Sequence, residues 1–131
     1  MTAHHPGDES PDATIRIDPE SAVPPYDQIK AQVRDQIRAG TLAPGTRLPS
    51  IRQLAGDLGV APGTVARAYA ELEAGGLLDS SRTRGTRVRP GQQADPEVRR
   101  AVELFVAAAR LTSTELADVL GLVRTEWNRQ S

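Results

Sequence analysis

The sequence predicts a mainly α protein with one small β-hairpin: an N-terminal domain followed by a short pair of helices. Three observations predict it. Five segments repeat apolar residues at the helical period of about 3.6. One stretch, residues 77–90 (LLDSSRTRGTRVRP), changes to an extended pattern around an arginine-rich turn. Glycine or proline stands at most of the boundaries between these segments, where the chain must stop one element and begin the next. At 131 residues the chain has room for one domain and a small appendage, because a domain usually takes about 100–200 residues.

Residues 1–13 (MTAHHPGDESPDA) are polar, acidic and aperiodic, which predicts a disordered tail. His4 and His5 stand side by side there without partner ligands, so solvation is a better account of them than a metal clip. In TIRID (residues 14–18), Ile15 and Ile17 alternate with polar neighbours, the pattern of a short strand. The first helix is expected from Pro25 to Ala39, with Tyr26, Ile29, Val33 and Ile37 on one face and Gly40 as its stop. Ser50 and Gln53 have capping-box spacing and open a second helix, whose inner face is Ile51, Leu54, Ala55 and Leu58. Gly59 ends it. Pro62 suits the first turn of a third helix, in which Val65, Ala68, Tyr69 and Leu72 face inward before Gly75-Gly76 stops it.

The hairpin of residues 77–90 follows, with Gly85 available for a positive backbone angle. A linker is expected over residues 91–95, then the helical pair over 96–131. The fourth helix is capped by Asp95-Pro96; the fifth is expected to begin at Thr112, with Glu115 in capping-box spacing. Their apolar stripes are Val98, Val102, Phe105 and Val106 on one and Leu116, Val119, Leu120, Val123 and Trp127 on the other. A pair this small buries little by itself. The pair is therefore expected to pack on the first domain or on another chain, with these residues forming a dimer interface, and a site for a small effector as the alternative role for Phe105 and Trp127.

Composition removes several function classes. Cysteine is absent, so disulfides, thiolate nucleophiles and thiolate metal sites go together. The four aromatics, Tyr26, Tyr69, Phe105 and Trp127, are too few for a base-stacking platform of the kind that binds single strands. Both histidines lie in the tail and no nucleophile–base pair or carboxylate pair converges, so an enzyme is not expected, nor is a cofactor or a metal. No run approaches the roughly 18 uncharged residues of a membrane helix, which with the missing cysteine makes a soluble cytoplasmic protein the expectation.

The net charge of −1 hides an uneven distribution. Residues 1–23 hold one basic residue against five acidic, residues 24–90 hold ten against six, and residues 91–131 hold five against six. The basic excess coincides with the three helices and the hairpin, and fifteen of the sixteen basic residues are arginine, whose planar fork bonds phosphate and guanine in pairs.

Helix, short strand, helix, turn, helix and two-stranded hairpin is the order of a winged helix-turn-helix. The turn LGVAPGTV (residues 58–65) aims the start of the third helix outward, where its first residues fit a DNA major groove about 12 Å wide. Thr64 and Arg67 are the polar residues there, while Pro62, Gly63 and Ala66 permit close approach and read little. Residues 24–88 resemble the GntR-type bacterial transcription regulators. The resemblance rests on PGTRLPSIRQLA (44–55), GTVARAY (63–69) and RTRGTRV (82–88), and covers roughly half of the chain. It implies DNA contacts by Arg52, Thr64, Arg67, Arg84 and Gly85, with Arg47 on a phosphate and Ser50, Pro62, Gly63, Arg82 and Thr86 in the same surface. Ala61, Pro62 and Gly63 stand where some members have basic or hydroxyl side chains, so base preference does not transfer. With only the helical pair after residue 90, the chain looks like the YtrA subfamily, which implies a homodimeric repressor of its own operon on a roughly palindromic double-stranded operator.

Other readings compete. Arg67 has Glu71 four residues on, the spacing of an ordinary helix ion pair. Arg52 has a weaker alternative, since a cation in the first turn of a helix opposes the macrodipole. Arginines crowded into one hairpin repel unless a polyanion neutralises them. A winged helix can also serve as a protein interaction module without specific DNA binding, and that role has no need of the basic surface.

Overall fold

The computed structural model describes residues 14–131; the expected tail, with His4 and His5, lies outside them. The elements are α1 (Pro25–Ala39), α2 (Ile51–Leu58), α3 (Pro62–Ala74), β1 (Leu78–Ser81), β2 (Gly85–Val88), α4 (Pro96–Leu111) and α5 (Leu116–Arg129). They divide into two compact units, one running through Ala94 and the other from Asp95 to Ser131.

In the first unit α3 packs against α1, α2 and β1. Ile29, Val33 and Ile37 of α1 and Val65, Ala68 and Leu72 of α3 are buried, together with Leu54 and Ala55 of α2, and Leu78 and Val88 of the hairpin. The apolar stripes read from the sequence thus close on one another. Ile51 departs from this pattern: it occupies the first position of α2 and stays 36% exposed, because the core reaches that helix only from Leu54 onward. Ser50 Oγ accepts from Gln53 N at 3.1 Å, and Gly59 closes α2 in the left-handed region at φ 69°, the conformation that glycine adopts without steric cost. Tyr69 is buried, donates its hydroxyl to Pro49 O at 2.8 Å, and burial pushes its pKa upward. It stays a neutral donor that pins the entry of α2 to α3.

The expected strand at residues 14–18 does not form: the segment has no regular secondary structure and joins no sheet. Side chains of α1 stand in for the missing strand. Gln32 pairs both ways with the Arg16 backbone (2.9 and 2.7 Å), Gln28 does the same with Asp18 (2.8 and 3.1 Å), and Gln36 reaches Thr14 O. Three glutamines one turn apart on α1 thereby hold the segment so that Ile15 is buried in the core. Gln32→Ala removes a two-way bond and is expected to lower stability by about 1 kcal/mol, read as a fall in Tm of several degrees; an unchanged Tm would show that Ile15 docks without the glutamines.

The hairpin pairs Leu78 with Val88 through Ser81 with Gly85. Residues 45–48 run along the other side of β2: Gly45 N donates to Val88 O (2.8 Å), Val88 N to Thr46 O (2.9 Å) and Leu48 N to Thr86 O (2.8 Å). The loop before α2 is in this way fastened to the wing. The expected linker is also partly held, since Arg38 Nη1 donates to Gln92 O (2.8 Å) and Ala94 N to Arg38 O (2.8 Å).

In the second unit Asp95 caps α4 by accepting from Glu97 N at 2.8 Å. The fifth helix begins at Leu116, with Glu115 as its N-cap, rather than at Thr112. Thr112 Oγ1 turns back onto Ala108 O and Ala109 O (3.0 and 3.1 Å), serving the end of α4 as threonine hydroxyls do when they bond three and four residues back. Ser113 then reverses the chain at φ 55°.

Candidate nucleic-acid interface

Three stretches of the first unit, the start of α2, the 45–48 loop and the tip of the hairpin, present cations whose side chains have no partner among the described residues; Arg16 and Arg34, away from these stretches, share that property. Arg52 is the second residue of α2, exposed, with no acidic residue in that first turn. Among the described residues it has no hydrogen-bond or ion-pair partner. A cation placed against a helix N-terminus without a counter-ion is unfavourable for the isolated fold, and an external anion relieves it.

The wing separates its four arginines. Arg87 Nη1 donates to Gly45 O at 2.9 Å, and Arg89 Nε lies 3.6 Å from Asp79 Oδ1. The first fastens the hairpin to the loop before α2, and the second joins its two sides. Arg82 and Arg84, at the turn, are exposed, and their guanidinium groups have no partner among the described residues. Ser81 shapes that turn: its Oγ accepts from Thr83 N (3.2 Å) and Arg84 N (3.1 Å), so the backbone donors are satisfied locally and the two guanidinium groups are left at the tip. Ser80 adds a hydroxyl bond to Glu73 of α3, tying the hairpin to that helix. Neither serine was among the residues expected to matter, although a serine opening a tight turn is the type that makes such bonds.

Arg47 lies beside Gly85. Gly85 takes φ 72°, and a Cβ built there would sit 3.0 Å from Arg47 Nε. Glycine is needed for the backbone angle and leaves room for the guanidinium to cross the start of β2. Gly85→Ala is expected to lower stability by about 1–2 kcal/mol from the left-handed strain alone and to push the flexible Arg47 aside; a thermal melt matching wild type would show that the turn relaxes to another conformation. Thr86, next in β2, is half-buried and its carbonyl is engaged by Leu48 N.

At the start of α3, Ala61 occupies the N-cap without a side-chain bond, and Pro62 is the first residue. Pro62 and Gly63 are exposed, with open space where a Gly63 Cβ would be, and Thr64 is half-buried beside them. The positive end of the helix is thus bare and closely approachable. Arg67, one turn on, is engaged: its Nε donates to Glu71 Oε2 at 3.2 Å, and its guanidinium lies 3.6 Å from the Tyr26 ring centroid. The ion pair weighed against DNA contact in the sequence is formed. Lys30 Nζ reaches the other Glu71 oxygen at 3.1 Å. These two bonds, that of Lys30 first, hold the Glu71 pKa below its usual range.

In the second unit, the stripes expected to pair with another chain are open. Val98, Val102, Val106, Leu116, Leu120, Val123 and Trp127 range from 42% exposed at Val106 to 75% at Trp127; Phe105 is half-buried and Val119 buried. Leu104, Leu111 and Leu122, which the sequence reading left out, are exposed as well. Among the described residues no group of three or more His, Cys, Asp or Glu side chains is placed to hold a metal ion, and no helix is long and apolar enough to cross a membrane.

Known proteins resemble this chain over much of its length. An HTH-type transcriptional regulator of Mycobacterium tuberculosis is 41% identical over 106 residues, covering 81% of this chain and 88% of that protein. The HTH-type transcriptional repressor YtrA of Bacillus subtilis is 44% identical over 72 residues, 55% of each protein. Among solved structures, YtrA from Sulfolobus acidocaldarius, described as a GntR-family transcription factor, superposes with a TM-score of 0.55 at 38% identity, covering 72% of this chain and 97% of that one. Residues 25–88, the span from α1 to the end of the wing, match the family of bacterial regulatory proteins called gntR, and the chain belongs to that family of DNA-binding transcription regulators.

Proposed function

We propose that the protein is a homodimeric repressor of the YtrA-like branch of its family, binding a roughly palindromic operator and acting on the promoter of its own gene. The observation that carries the reading is the set of unpartnered cations, Arg52, Arg47, Arg82 and Arg84, grouped on the start of α2, the loop and the wing of one small domain. In this reading the bare start of α3 enters the major groove, with Thr64 at the base edges and Pro62 and Gly63 allowing close approach. Arg52 with Ser50 beside it, and Arg47, meet flanking phosphates; Arg82, Arg84, Gly85 and Thr86 carry the wing to the next groove. The apolar stripes of α4 and α5 bring two copies together, which gives two half-sites. The branch assignment is supported by the likeness to the Bacillus and Sulfolobus proteins, and repression by the description of the former as a repressor. A bound dimer then excludes polymerase sterically.

The test is a competition titration between the fragment upstream of its own gene and an unrelated fragment, repeated as salt is raised. Preference for its own fragment, with affinity falling steeply with salt as counterions return to the phosphates, is the expected result. Equal and weak binding to both fragments would instead favour a winged helix that binds proteins.

A further inference from the structure

A long arginine that must find its DNA contact from many rotamers loses side-chain freedom on binding. Arg67 does not start from that disorder. The Tyr26 ring lies against its guanidinium at 3.6 Å, and Glu71 takes its Nε at 3.2 Å. The ring fixes the guanidinium plane, and the Nε bond fixes rotation within that plane. Glu71 is itself held across the helix interface by Lys30 at 3.1 Å. Nη1 and Nη2, the two terminal nitrogens of Arg67, have no acceptor among the described residues, and the side chain stays 59% exposed. Lys30 and Arg67 around one carboxylate leave the cluster with a net charge of +1, so it still attracts phosphate.

We propose that Tyr26 and Glu71 are positioning residues for DNA recognition, holding Arg67 so that its two terminal nitrogens face a paired acceptor on DNA, either two phosphate oxygens or the O6/N7 edge of a guanine. The inference rests on the DNA-binding reading above. It makes a prediction opposite in sign to simple electrostatics. An acidic side chain near bound DNA repels phosphate, so removing its charge should tighten binding; removing a positioning carboxylate should weaken it.

The experiment measures affinity for the preferred promoter fragment with the full chain carrying Arg67→Ala, Glu71→Gln, Tyr26→Leu, and each of the latter two combined with Arg67→Ala, after circular dichroism has established folding. Glu71→Gln and Tyr26→Leu are each expected to weaken binding about 3–10-fold when Arg67 is present, and no more than about twofold when it is already alanine, the mark of residues that act through a common partner. Relaxed preference at one base pair in Arg67→Ala assigns the acceptor to guanine; a uniform loss with a shallower salt slope assigns it to phosphate. Tighter or unchanged binding by Glu71→Gln, or equal losses with and without Arg67, would overturn the inference. Should Glu71→Gln not fold, Tyr26→Leu alone decides by the same comparison. A wild-type protein that prefers its promoter while Arg67→Ala binds equally well removes this inference and leaves the proposed function standing; a wild type without preference removes both.

Discussion

Removing residues 95–131 is expected to leave a folded monomer that binds its operator about 100- to 10,000-fold more weakly. The fold should survive because its core is complete without them. Ile29, Val33, Ile37, Leu54, Val65, Leu72, Leu78 and Val88 are buried and all belong to the unit that ends at Ala94. Keeping residues to 94 also preserves the bonds of Gln92 and Ala94 to Arg38. The removed part contains exposed Val98, Leu104, Leu111, Leu116, Leu122 and Trp127, a concentration of apolar side chains that fits the proposed role of joining two copies. Joining two DNA-binding units makes the second contact intramolecular, and avidity of about 10²–10⁴ is what that linkage supplies. Sedimentation and DNA titration of the truncated chain check both halves of the expectation. A truncated chain that still sediments as a dimer would place the interface in the first unit, and one that binds as tightly as the full chain would remove the need for dimerisation.

Arg52→Ala is expected to weaken operator binding by about 1–3 kcal/mol, roughly 5- to 150-fold, while the folded state is unchanged or gains slightly. The two effects differ in sign for one reason. Arg52 has no partner among the described residues and sits in the first turn of α2, where a positive charge opposes the helix dipole by about 0.3–1 kcal/mol. Alanine relieves that repulsion in the free protein and forfeits a charge-assisted bond in the complex. Thermal melting paired with titration measures both. A folded Arg52→Ala protein with wild-type affinity would remove Arg52 from the interface.

The parts of this fold that were legible in the sequence are those fixed by local chemistry. Ser50, Gly59, Pro62 and Asp95 mark helix ends through bonds or angles within a few residues of themselves; α1, α2 and α3 begin and end, and α4 begins, where those residues and the apolar period placed them. The segment around Ile15 and Ile17 misled because alternation records only that one side is buried, not what satisfies the backbone. The signal lay elsewhere, in Gln28, Gln32 and Gln36 spaced one turn apart on α1. Thr112 misled because a hydroxyl between two helices can serve either, and here it bonds backward.

The candidate site was legible in residue type and less so in role. That Arg87 and Arg89 are engaged internally depends on Gly45 and Asp79, and Gly45 is 42 positions distant in sequence. The stack of Arg67 on Tyr26 likewise joins two helices whose contact no short spacing records. The Arg67–Glu71 pair, by contrast, was visible as an i,i+4 spacing, and only the structure adds that its outer nitrogens remain open.

A two-fold dimer that reads DNA through the start of α3 and the wing leaves a recognisable hydroxyl-radical footprint on the fragment upstream of its own gene. Two protected patches related by a dyad are expected, centred about one helical turn of DNA or a multiple of it apart, with the outer edge of each patch lost in an Arg82→Ala/Arg84→Ala variant. Protection spread evenly along the fragment, or a single patch without a symmetric partner, would contradict the two-fold dimer.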